Sequence, residues 1–92
     1  MTTLHIISRC LQHNDELSQH ISHSLQQGDC LLLLAEGVYS RHLEPFADYP
    51  VFMLQADATL SGLANPPPQV QLIDYAAWVS LGVQHVRSIS WH

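Results

Sequence analysis

Six residues, Cys30 to Ala35 (CLLLLA), run without a polar interruption directly after a Gly28-Asp29 break. A central strand of a parallel sheet looks like this when helices cover both of its faces. That segment constrains the rest of the chain, because a strand buried on both sides needs amphipathic elements around it. On its N-terminal side, Asn14 and Asp15 offer N-caps, Leu17, Ile21 and Leu25 recur at four-residue spacing, and Gly28 supplies a C-terminal stop. Those are the marks of an amphipathic helix. Thr3 to Ser8 (TLHIIS) suits either a doubly buried strand or a helix start, and the helix that follows it favours the strand.

Beyond Ala35, Glu36-Gly37 ends the central strand. Val38 to Leu43 is expected as a short helical turn interrupted by Glu44-Pro45, since the residue before proline avoids the α region. Pro50 introduces a third strand, Val51 to Leu54, and Asp57 to Leu63 reads as a short helix with Asp57 as its cap and Gly62 near its end. Asn65 to Pro68 (NPPP) reads as an extended connection, and Val70 to Ile73 as a fourth strand. Asp74 then caps a last helix with Tyr75, Trp78, Val79, Gly82, Val83 and Val86 as one apolar stripe. Strand and helix alternating in this way imply right-handed crossovers. The expected fold is a small three-layer α/β/α sandwich with a mainly parallel sheet, in one domain spanning residues 1–92.

Ninety-two residues lie near the lower end of what can bury an independent core. Only 12% of them are charged and 47% are hydrophobic, against roughly a quarter charged in an average soluble domain. A surface short of charge is often one that meets another subunit. The net charge of −5, with three arginines and no lysine, argues against direct nucleic-acid binding, which rests on clustered basic residues. No run approaches the roughly 18 apolar residues of a membrane span, and Met1 to Cys10 lacks the basic start of a signal peptide. The expected location is the cytoplasm, where Cys10 and Cys30 are free thiols.

With the elements placed, Gly28-Asp29-Cys30-Leu31-Leu32-Leu33-Leu34 followed by Glu36-Gly37-Val38 resembles the GD-x-LLLL-x-(D/E)GV stretch of the TusB/DsrH family. Leu4-His5 at the start, Val51 to Leu54 with Asp57 after it, Ile73-Asp74-Tyr75 with Val79, and Trp91 near the end follow the family's order and spacing. The resemblance implies a DsrE/F/H-like fold and a subunit without a catalytic residue of its own. Its partners would be TusC/DsrF-like and TusD/DsrE-like subunits, in a hexamer built as a dimer of trimers. Such a complex passes persulfide sulfur from a TusA-like donor to a TusE/DsrC-like acceptor. In the TusB branch the sulfur serves 2-thiolation of the wobble uridine of tRNA, and in the DsrH branch it belongs to sulfur oxidation. The principal sulfur-carrying cysteine lies in the TusD/DsrE-like subunit. Some DsrH-type members carry a cysteine in the first helix; Asp15 to Gln27 contains none, which favours the TusB side.

A persulfide carrier needs an accessible thiolate. Cys10 is the candidate, after the first strand and before a helix N-terminus, with Arg9 beside it to favour the anion and His13 as a base. The competing reading makes Cys10 a loop residue packed under a partner or under the first helix. Cys30 opens a buried strand and reads as a small core hydrophobe. Of the seven histidines, His13, His20 and His23 share a helix without converging on one side of it, so no metal site is expected. Asp74 reads as a cap, Tyr75 and Trp78 as core, and Trp91 as docked against this chain or a neighbour. Glu36-Gly37 could shape a pocket at the strand's end. The sequence holds no phosphate loop, nucleophile elbow or CxxC, and no cofactor is expected.

Three functions therefore compete: an assembly subunit, a sulfurtransferase or persulfide carrier acting through Cys10, and a free-standing ligand-binding domain.

Overall fold

The computed structural model describes residues 2–12, 15–40, 43–62, 68–85 and 87–91. Five parallel strands form one sheet in the order β4-β3-β2-β1-β5: β1 Thr3–Ile7, β2 Cys30–Leu33, β3 Val51–Leu54, β4 Val70–Ile73 and β5 Arg87–Trp91. Helices α1 (Glu16–Ser24), α2 (Gln55–Leu60) and α3 (Tyr75–Gln84) follow β1, β3 and β4, and two 3-10 turns, Ala35–Tyr39 and Glu44–Phe46, lie between β2 and β3. This is the α/β sandwich that the strand-helix alternation implied.

Handedness explains the layers. Stepping from β1 through β4 in one direction puts α1, the 3-10 turns and α2 on one face, whereas the return from β4 past three strands to β5 puts α3 on the other. The two cores divide accordingly. Ile7, Leu31, Leu33, Val51 and Met53 pack with Ile21 of α1, Phe46 and Ala58 of α2. Leu4, Cys30, Leu32 and Ile73 pack with Ala77, Trp78 and Leu81 of α3. All four β2 residues are buried because successive side chains feed alternate cores. Each fully buried leucine there contributes roughly 1.5–3 kcal/mol.

Several elements depart from the sequence reading. Helix α1 ends at Ser24, short of Gly28, because residues 26–29 form their own turn: the Asp29 amide donates to the Gln26 carbonyl at 3.0 Å, and the Gln26 amide donates to the Asp29 carboxylate at 3.1 Å. Pro45 opens a 3-10 turn instead of breaking one, since its missing N–H costs nothing at a first turn. The short helix begins at Gln55, so Asp57 lies inside its first turn and is not its cap. Tyr75 is exposed and not core, because only Ala77, Trp78 and Leu81 of α3 reach the sheet. The C-terminal segment holds a fifth strand that its weak pattern, RSISW, did not announce. His13, Asn14, Val86 and most of the NPPP connection lie outside the described residues.

Candidate functional site

All five strands end on the same edge of the sheet, and a crevice opens there wherever neighbouring strands feed elements on opposite faces. Here that happens between β3, which runs into α2, and β4, which runs into α3. The crevice is a hollow of about 590 Å³ lined by Leu54, Gln55, Thr59, Leu60, Asp74 and Tyr75 among others. Beside it lies a second hollow of about 260 Å³, lined by Glu36, Tyr39, Asp57, Leu60 and Ser61 with Ala35. Leu60 is the wall they share.

Backbone constraints fix this edge. Ala35 follows the last paired residues of β2 with φ of 50°, a left-handed conformation that costs an L-residue roughly 1–2 kcal/mol. The Asp57 carboxylate accepts the Ala35 N–H at 2.7 Å and holds it there. Gly37, buried two residues on, approaches the end of β1 so closely that a Cβ would run into the Ile7 carbonyl oxygen. The expected pocket-shaping role of Glu36-Gly37 is therefore divided: Gly37 lets the chain pass, and Glu36 stands exposed on the rim. Asp74 does cap α3, accepting the Ala77 N–H at 2.8 Å. Tyr75 meets Trp78 edge-on with ring centroids 5.3 Å apart.

Cys10 lies on the same edge of the sheet, beyond β1, and is half-buried. The Arg9 guanidinium is turned to Asp15 at 3.5 Å, and Asp15 itself caps α1 by accepting the Leu17 N–H. Cys30 has a different environment. Burial, with the Asp29 charge behind it, pushes its thiol up to about 11. His85 Nδ1 lies 2.8 Å from the Leu81 carbonyl, which can only accept, so Nδ1 carries the hydrogen. His85 Nε2 is then the acceptor for the Cys30 thiol at 3.4 Å. His20 and His23 sit exposed on α1, and among the described residues no three His, Cys, Asp or Glu side chains are grouped to hold a metal.

The residues that sequence reasoning missed as a unit are His5, Asp29 and Trp91. His5 is 1% and Asp29 3% exposed, with His5 Nε2 3.1 Å from Asp29 Oδ2. Asp29 Oδ1 also accepts the Thr3 N–H at 2.9 Å. Burial raises the Asp29 carboxyl, but the Thr3 amide, the His5 ring and the Gln26 amide together outweigh it and leave the group below its ordinary 3.8. A histidine in a strand between apolar neighbours was the available signal: alternation put His5 on the same inner face as Ile7.

A family model described as DsrH like protein matches residues 10–88. This chain belongs to the DsrH-like family. Among its relatives are Protein TusB of Salmonella arizonae, Salmonella paratyphi B and Salmonella newport, each 35% identical over an alignment that covers 73% of this chain and 79% of theirs. DsrH-like membership agrees with the resemblance carried by Gly28 to Val38, and it supports a sulfur-relay role within a sulfur-relay complex. In this DsrH-like chain the strings behind the resemblance have visible structural work. Gly28-Asp29 forms the turn that holds His5, Gly37 passes the Ile7 carbonyl, Asp57 restrains Ala35 and Asp74 starts α3. Among the described residues no helix of this DsrH-like fold is long and apolar enough to cross a membrane.

Proposed function

We propose that this chain, acting as one domain over residues 1–92, is a non-catalytic subunit of a TusBCD/DsrEFH-like relay that passes persulfide sulfur between carrier proteins. Its sulfur would go toward 2-thiolation of the tRNA wobble uridine. The partners on this reading are TusC/DsrF-like and TusD/DsrE-like subunits, a TusA-like donor and a TusE/DsrC-like acceptor. The observation that carries it is the family match, joined to the state of Cys30, whose buried thiol stays protonated at neutral pH. A protonated thiol is no nucleophile toward a persulfide.

The half-exposed Cys10, close to the α1 N-terminus, supports the second reading, in which this chain itself carries sulfur, in sulfur oxidation. Reconstitution separates the two. The chain is mixed with the two proposed subunits, a persulfidated TusA-like donor and a TusE/DsrC-like acceptor, and the masses of all components are followed. Sulfur on the TusD/DsrE-like subunit and the acceptor, with this chain unmodified, is the expected result. Persulfide on Cys10 overturns it, and failure of the chain to associate with either subunit removes the assembly role altogether.

A further inference from the structure

Helix α3, Tyr75–Gln84, contains no charged residue, yet none of its residues is fully buried. A helix apolar all round is normally covered on every side. Here the sheet takes only Ala77, Trp78 and Leu81. Tyr75 is 67%, Val79 56% and Val83 82% exposed, a row at four-residue spacing along the outer face. Tyr75 also lines the crevice between β3 and β4, and the opposite wall is Leu60, 85% exposed. Leu60 continues into the smaller hollow, whose lining includes the half-exposed Tyr39. Tyr39, Leu60 and Tyr75 thus border two adjoining hollows, and Val79 and Val83 continue the exposed apolar row from Tyr75 along α3.

Among the described residues its charges have one sign. Glu36 and Asp57 line one hollow and Asp74 the other, and no described lining residue of either hollow is cationic. Asp57 and Asp74 accept backbone N–H groups, and among the described residues no ion pair engages either carboxylate. A second copy of this chain, at net −5 with no lysine, would bring like charges together on the same rim.

We propose that the outer face of α3 and the Leu60 ridge form one docking surface for a protein partner. That partner presents apolar side chains for the two hollows, flanked by arginine or lysine side chains that meet Glu36, Asp57 and Asp74. The proposal rests on the subunit reading above and assigns that reading its surface.

Leu60→Asp, Val83→Asp and Glu36→Lys change exposed side chains, and Gln19→Asp on α1 serves as the control. Each variant is checked by thermal melting, then titrated against the TusC/DsrF-like and TusD/DsrE-like subunits at two salt concentrations. Light scattering reports self-association. Leu60→Asp and Val83→Asp are expected to weaken binding at least tenfold, Glu36→Lys to weaken it and flatten its salt dependence, and Gln19→Asp to leave it unchanged. Undiminished binding by the two apolar variants overturns the surface while leaving the subunit reading intact. Undiminished binding by Glu36→Lys overturns the basic character of the partner. A wild-type dimer that Leu60→Asp converts to monomer, with subunit binding unaffected, gives the face to a second copy instead. Wild-type protein that binds neither subunit sinks the subunit reading and the proposal with it.

Discussion

The indole N–H of Trp91 donates to Nδ1 of His5 across 3.0 Å, joining the last strand to the first. Because Nδ1 accepts, the His5 hydrogen sits on Nε2 and is donated to Asp29. The two rings lie nearly parallel, 18° apart, with centroids 6.1 Å apart. One buried polar chain therefore ties β5, β1 and the 26–29 turn together, and Arg87 adds a bond from its Nε to the Thr3 hydroxyl at 3.0 Å.

Replacing Trp91 by Phe keeps an aromatic ring but removes the N–H, leaving His5 Nδ1 buried without its donor. The expected loss is about 1–3 kcal/mol, seen as a lower urea midpoint, together with faster amide exchange in residues 87–91. An unfolding free energy unchanged within about 0.5 kcal/mol would mean that a typical surface-like substitution had been made, and the buried chain would have no energetic role.

Asp29 governs the acid limb of stability. Its folded value lies below the ordinary 3.8, so it binds a proton more weakly in the fold than in the unfolded chain. The resulting stability is present above pH 3.8 and is lost as pH falls through the lower folded value. Asp29→Asn, which cannot ionise, should flatten that part of a stability-against-pH curve measured by denaturant titration. An identical acid limb in the variant would contradict the assignment.

The two cysteines should separate cleanly under alkylation. Cys30 is buried with its thiol pushed up to about 11, whereas Cys10 is half-exposed. Intact mass after iodoacetamide at pH 8 is expected to show one adduct on native protein, located at Cys10, and two on unfolded protein. Since the Cys30 thiol is held above its ordinary 9.0, stability should also fall between pH 9 and about 11, by roughly 1.4 kcal/mol per unit. Cys30→Ala removes that alkaline slope and costs only about 1 kcal/mol near neutrality. Native labelling of Cys30 would contradict this account.

Cys10→Ser tests the relay itself. If sulfur passes only through a partner subunit, the reconstituted complex should keep activity near the wild-type level. A tenfold fall, which is about 1.4 kcal/mol in the barrier, with assembly intact would make this chain a sulfur carrier.

Much of the architecture was legible because burial imposes periodicity. The CLLLLA run announced a doubly covered strand, which the fold realises over Cys30–Leu33 before Ala35 enters a 3-10 turn. Leu17 and Ile21 line one helix face, with Leu25 just past the helix end in the same core, and Asp15 and Asp74 carry a capping chemistry local to a few residues. Contacts between residues far apart in sequence leave no such trace. Strand β5 carries two serines and an arginine. It is a strand because Trp91 reaches His5, 86 positions away, and because its backbone completes the open edge of β1. The outward face of α3 misled for the related reason that apolar spacing records which residues avoid water, not what covers them. Sequence thus determined the elements up to α3 and their alternation through local periodicity and capping. Tertiary structure decided which apolar residues the sheet could accept, which charges stand beside the crevice, and that a histidine, an aspartate and a tryptophan close the fold, because each depends on packing across the sheet.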